Sequence, residues 1–154
     1  MSHLIIMPLW QPTNLNNWHE PLIQELWFPD RWKMLITCLC LNMTSGKQVR
    51  PLIPKLFEAY PSPSHMANSV DRELYTMIKP LGFANKRVYT FKRFSNEYMN
   101  VHWENVKELY GCGTYALNSD KIFYLGEWRS VNPKDSELKR YISYIKSLEK
   151  SNGC

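Results

Sequence analysis

With 154 residues, 44% of them hydrophobic and 14% aromatic, the chain is long enough to enclose one core and too apolar to stay disordered. Nineteen Lys and Arg against 14 Asp and Glu leave a formal net charge of +5, which favours an anionic partner without identifying one. The four cysteines form no CxxC pair and have no His-x-x-x-His element beside them, so neither a metal site nor an iron-sulfur cluster is expected.

Residues 1–18 carry Pro8, Pro12 and several Asn with no apolar period, and are expected to be an irregular leader ahead of a single domain over residues 19–150. The N-terminus lacks the basic segment and long apolar stretch of a signal peptide, and the apolar run 34–41 is far shorter than the roughly 20 residues that span a bilayer. A short helix is predicted over 20–27, opened by Pro21, and a second over 31–42, capped by Asp30 and buried on most sides. Pro51 is expected to start a third helix that runs to Tyr60, with a bend at Pro54 and a turn at Pro61-Ser62-Pro63-Ser64. Helices follow over 71–78 and 85–99, separated by the Leu81-Gly82-Phe83 loop, and then over 104–109. Gly111 and Gly113 make a tight turn before a helix over 114–124, and a polar connection leads to a last helix over 134–147. No run alternates as a strand, so the chain reads as all-α.

Two places could carry chemistry. In Leu109-Tyr110-Gly111-Cys112-Gly113-Thr114-Tyr115 the glycines permit backbone angles barred to other residues and let amide N–H groups approach a phosphate at the start of the next helix. The same string is also an ordinary helix connection. Twenty-two positions after Gly113, Asp135 follows Pro133 in the first turn of the last predicted helix, where a carboxylate is a helix cap or a reactive group.

The spacing of that Gly-x-Gly hairpin and Asp135 resembles the helix-hairpin-helix DNA glycosylases. From about residue 20 to residue 144 the chain further resembles the glycosylase domains of the methyl-CpG-binding domain protein 4 family, mismatch-specific thymine and uracil glycosylases. The strings that carry the resemblance are Leu22-Ile23-Gln24-Glu25, Trp32-Lys33, Leu41-Asn42 with Thr44-Ser45-Gly46-Lys47, Lys79-Pro80-Leu81-Gly82, the hairpin, Glu127-Trp128, and Pro133 with Asp135. The resemblance implies two helical lobes with the active site in the cleft between them.

It also implies roles. Asp135 falls on the catalytic aspartate, and Gln24 and Tyr115 on residues that line the pocket for an extruded base. Met43, Thr44, Ser45, Gly46 and Lys47, the Leu81-Gly82-Phe83 loop, and Gly111 with Gly113 fall on DNA-contacting positions. Within that loop an exposed Leu or Phe can wedge into the duplex, and Lys47, Lys86 and Arg87 are candidates for holding phosphates. Read as residues alone, Gln24 is equally a polar group on a surface helix, Tyr115 a packed ring with a wet hydroxyl, and Phe83 an anchor under its loop. His3, His19, His65 and His102 match no family site. Two residues depart from the family pattern, Met43 where it typically carries Arg and Glu137 where it can carry Lys, and both remove positive charge from the expected DNA face.

The implied activity is removal of thymine or uracil opposite guanine from double-stranded DNA, without lyase activity, cofactor or metal, by a nuclear monomer with no membrane association. A second reading, prompted by Met43, is a helix-hairpin-helix module that binds DNA with little or no excision.

Overall fold

The computed structural model describes residues 22–152, so the expected leader, the start of the first predicted helix, His3, His19 and Cys154 lie outside it. Every regular element among the described residues is helical. After a 3-10 turn over Ile23–Trp27, eight α-helices follow: α1 (Arg31–Leu41), α2 (Gly46–Val49), α3 (Ile53–Ala59), α4 (Pro63–Ala67), α5 (Asp71–Ile78), α6 (Ala84–Asn100), α7 (Thr114–Ser119) and α8 (Ser136–Asn152).

Helix α1 is the centre of the molecule. Asp30 caps it by accepting a hydrogen bond from Lys33 N–H at 2.9 Å, and the seven residues from Met34 to Cys40 are all buried. A helix that is apolar on every side must be surrounded. Here α1 is packed by Ile23–Trp27, α2, α6 and α7. Trp32 donates to Ser95 Oγ of α6 at 3.0 Å, which satisfies its buried N–H, and its ring lies 5.6 Å from Phe57 of α3. On the far side α4 and α5 pack against α6. The Tyr141 ring of α8 lies 4.8 Å from Phe123.

Several elements differ from expectation for local reasons. Pro54 falls in the first turn of α3, where its missing N–H costs nothing, so it starts the helix rather than bending it. The Pro61–Ser64 segment is not only a turn: Ser62 accepts from His65 N–H, Pro63 occupies the first turn, and together they start α4. Helix α2 was not anticipated; its cap is Ser45, which accepts from Gln48 N–H at 3.4 Å. Val106–Glu108 forms a 3-10 turn between Asn105 and Glu108 caps rather than an α-helix. The helix expected over 114–124 is α only to Ser119 and then widens to a π-turn over Asp120–Tyr124.

That π-turn carries a buried ion pair. Both oxygens of Asp120, which is 1% exposed, accept from the Arg31 guanidinium at 2.7 and 2.8 Å. Arg31 also lies over the rings of Trp103 and Tyr124, at 4.8 and 4.5 Å. A carboxylate this deep is costly unless it is paired and hydrogen-bonded, and the bidentate guanidinium supplies both. The pair thereby ties the start of α1 to the segment after the hairpin.

Candidate active site

A cleft of about 1240 Å³ opens between the α1–α2 side of the molecule and the hairpin with the start of α8. One wall is Leu39 and Leu41 of α1 with Asn42, Met43, Ser45, Gly46 and Lys47; the other is Gly111, Gly113, Thr114 and Tyr115 with Asp135 and Glu137. Residues separated by more than ninety positions in the chain thus face one space. Arg50 and Pro51 also line it, and neither was anticipated.

Asp135 is half-buried at the first turn of α8. Its Oδ2 accepts from Leu138 N–H at 3.0 Å and its backbone carbonyl from Lys139 N–H at 3.0 Å, so it caps the helix, which begins at Ser136 rather than at 134. A carboxylate has about four acceptor sites and the cap uses one, so capping and a role in the cleft are compatible. Glu137, two residues on, faces the cleft and pairs with Arg140.

Tyr115 rises from the first turn of α7, and its phenol oxygen accepts from Gln24 Nε2 at 2.6 Å. Burial, the neighbouring Cys38 and Asp135 raise the Tyr115 pKa, so it stays a neutral phenol with its own proton to donate. Gln24 is 2% exposed, which excludes a surface polar residue. It does not face the open cleft and reaches it through Tyr115.

The two hairpin glycines differ in what they require. Gly111 has φ +85°, and a Cβ there would stand 2.7 Å from Thr90 Cγ2 and 3.2 Å from Leu39 Cδ2. It allows the hairpin to sit directly on α6 and α1. Gly113, at φ −112° and ψ −154°, adopts angles open to any residue, and a Cβ there would meet nothing within 4 Å. The expectation of barred backbone angles therefore holds only for Gly111. Gly113 instead leaves the start of α7 uncovered.

Two exposed apolar residues stand beside the hairpin, and both have left-handed backbones: Met43 at φ 63° and 80% exposed, and Phe83 at φ 51° and 64% exposed. Such conformations cost on the order of 1–3 kcal/mol outside glycine and persist only where the surroundings impose them. Phe83 is no core anchor. Leu81, by contrast, is 4% exposed and belongs to the core, which corrects the expectation that it could reach DNA; within its loop only Phe83 projects. The Leu81 carbonyl accepts from Thr44 Oγ1 at 3.1 Å.

Arg87 is also corrected. It is 6% exposed and four of its five N–H donors are spent inside the protein on the carbonyls of Gly82, Leu39 and Asn42 and on Thr44 Oγ1, so it does not stand on the surface as a phosphate ligand. Lys47 and Lys86 are exposed. Nothing in the sequence announced the Arg87 contacts, because three of its acceptors are backbone carbonyls, two of them more than forty positions away.

Among the described residues no group of three His, Cys, Asp or Glu could hold a metal ion, and no helix is long and apolar enough to cross a membrane. Cys38, Cys40 and Cys112 are buried free thiols, and burial pushes those of Cys40 and Cys112 up to about 12.

No family model matches the chain. A solved structure of a thermostable thymine-DNA glycosylase superposes with a TM-score of 0.57 at 19% identity, over 75% of this chain and 66% of that one. The fold is thus the all-α fold of the helix-hairpin-helix DNA glycosylases, with the hairpin at Gly111–Gly113. In sequence, the chain is 36% identical over 136 residues to a methyl-CpG-binding domain protein 4-like protein of Arabidopsis thaliana, covering 85% of this chain and 31% of that protein. It is 28% identical over 96 residues to a thymine-DNA glycosylase of Aeropyrum pernix, covering 58% of this chain and 43% of that one. The chain belongs to the DNA glycosylase family, as a glycosylase domain of the methyl-CpG-binding domain protein 4 type. It spans less than half the length of either of these curated relatives.

Proposed function

We propose that this domain hydrolyses the N-glycosidic bond of thymine or uracil opposite guanine in double-stranded DNA, as a monofunctional nuclear enzyme that acts as a monomer without a cofactor. The observation that carries this reading is the convergence on one cleft of Asp135, Tyr115 and the Gly111–Gly113 hairpin, with Gln24 hydrogen-bonded behind Tyr115.

A base in a duplex must leave the stack before its glycosidic bond can be reached, and a mispaired base costs less to extrude. In the cleft it meets the phenol of Tyr115, held by Gln24. As the base departs, positive charge builds on the deoxyribose. The Asp135 carboxylate stabilises that charge more than the ground state and accepts a hydrogen bond from the attacking water. Met43 and Phe83 fill the space vacated in the duplex, as apolar wedges do. The hairpin amides, Lys47 and Lys86 hold phosphates and set the register of the protein on DNA.

Asp135→Asn tests this directly. Asparagine caps a helix as well as aspartate does, so the fold should survive while excision falls at least about 100-fold. Affinity should hold, because it comes mainly from phosphate contacts. Single-turnover rates and binding constants on a G·U duplex measure both; near-normal excision by the variant would remove Asp135 from the chemistry. Tight binding by the unaltered protein with no excision of thymine or uracil would instead favour the DNA-binding module that does not excise. The same reactions run with borohydride should trap no covalent adduct, since Tyr115 stands where a lyase needs an amine to form a Schiff base.

A further inference from the structure

Arg87, a buried residue of α6, holds four groups drawn from three parts of the chain. Its Nε donates to Gly82 O at 2.8 Å, Nη1 to Leu39 O at 2.9 Å, and Nη2 to Asn42 O at 2.9 Å and Thr44 Oγ1 at 2.5 Å. The pattern of these acceptors is informative. Asn42 and Thr44 are the residues on either side of Met43, and Gly82 precedes Phe83. On the other side of Phe83, its carbonyl accepts from the backbone N–H of Arg87 itself, at 2.9 Å. Thr44 closes the network by donating to Leu81 O at 3.1 Å.

Met43 and Phe83 are also the two non-glycine residues with positive φ among those described, and both line one pocket beside the hairpin. A single planar guanidinium therefore fixes the backbone flanking both left-handed residues and joins two loops that have no covalent reason to move together. Lysine cannot replace it, because an ammonium offers three donors about one point rather than a fork that spans separate carbonyls.

We propose that Arg87 is a positioning residue that holds Met43 and Phe83 as one rigid, two-pronged unit for insertion into DNA from which a base has been extruded; this rests on the DNA-glycosylase reading above. Arg87 touches no nucleotide in this role. It acts through the geometry of the two prongs, so its loss makes both ineffective at once.

The test is a set of double-mutant cycles read by affinity for two duplexes, one carrying a tetrahydrofuran abasic-site analogue opposite guanine and one undamaged. Arg87→Lys should weaken binding to the abasic duplex by about 10-fold and to the undamaged duplex by no more than about 2-fold. In the Arg87→Lys background, Met43→Ala and Phe83→Ala should each cost less than about 2-fold more, although each costs several-fold in the unaltered protein. Thr44→Val changes the shape little while removing both links of the hydroxyl, from Arg87 and to Leu81 O, and should weaken abasic binding by about 3-fold in the same selective way, so the idea remains testable if Arg87→Lys folds poorly. Equal losses on both duplexes, or alanine effects that multiply fully with Arg87→Lys, would overturn the proposal. Because this readout is binding, a protein that shows the selective pattern yet excises no base would refute the enzymatic reading and leave the coupling of the two prongs intact.

Discussion

Asp135 is fixed by the helix it caps. Its side chain accepts from Leu138 N–H while the residue lines the cleft, so the element that needs a cap also supplies the carboxylate with a fixed position. Met43 is the opposite case, a residue whose backbone is fixed by its neighbours and whose side chain is 80% exposed. Thioether side chains are flexible and carry no charge, so Met43 has bulk but no group that could grip a phosphate. Replacing it by arginine adds fixed donors at the same apex. Met43→Arg should therefore tighten binding to abasic duplex DNA and steepen the fall of log K with log salt by about 0.9 for each phosphate that the new guanidinium neutralises. Titrations at several salt concentrations measure this; unchanged affinity and slope would mean that the apex faces no phosphate.

At the scale of elements, the hairpin works because its two glycines do different things. Gly111 needs a left-handed backbone and bare contact with Thr90 and Leu39, whereas Gly113 needs neither. Gly111→Ala combines a conformational cost of about 1–2 kcal/mol with crowding of about 1–3 kcal/mol, and should lower unfolding stability by roughly 2–5 kcal/mol. Gly113→Ala should change stability by less than about 1 kcal/mol, because the added methyl meets no protein atom. If the uncovered start of α7 receives a phosphate, Gly113→Ala should nonetheless weaken DNA binding. Urea denaturation and a gel shift on both variants separate the two effects, and a Gly113→Ala protein that is as destabilised as Gly111→Ala would contradict the assignment. The π-turn after α7 has a comparable division of labour, since Asp120 and Arg31 fix its position from inside while Tyr115 one helix earlier faces the cleft.

For the whole molecule, the net charge of +5 is spread over basic residues with different fates. Arg31 and Arg87 are consumed by internal partners, whereas Lys47 and Lys86 remain exposed near the cleft and the two apolar apices. Counterion release counts only cations that meet phosphates. Lys47→Ala and Lys86→Ala should each weaken binding to any duplex sequence and reduce the salt slope by about 0.9, while Arg87→Gln, which removes a charge already held by internal carbonyls, should leave the slope unchanged. A slope that drops with Arg87→Gln would show that this side chain leaves its carbonyls when DNA binds.

The sequence by itself determined the helical class and most helix positions, because these depend on signals written locally, and a family resemblance singled out several of the residues that the structure places at the cleft. Apolar period and caps located α1, α5, α6 and α8, with Asp30 and Asp135 as their markers where a cap was present. The unusual strings around Gln24, Tyr115 and Asp135 pointed to one family, and the tertiary structure brings Tyr115 and Asp135 to one cleft with Gln24 behind them. What only the tertiary structure decided is which residues are spent inside. An arginine on a basic helix reads as a surface cation until the carbonyls of Leu39 and Asn42 arrive from elsewhere in the chain. Leu81 and Phe83 are both apolar loop residues, and only packing made one of them core and the other an exposed apex. Backbone carbonyls and solvent exposure carry no residue-type signature, so contacts made to the main chain across long separations become visible only when the chain has folded.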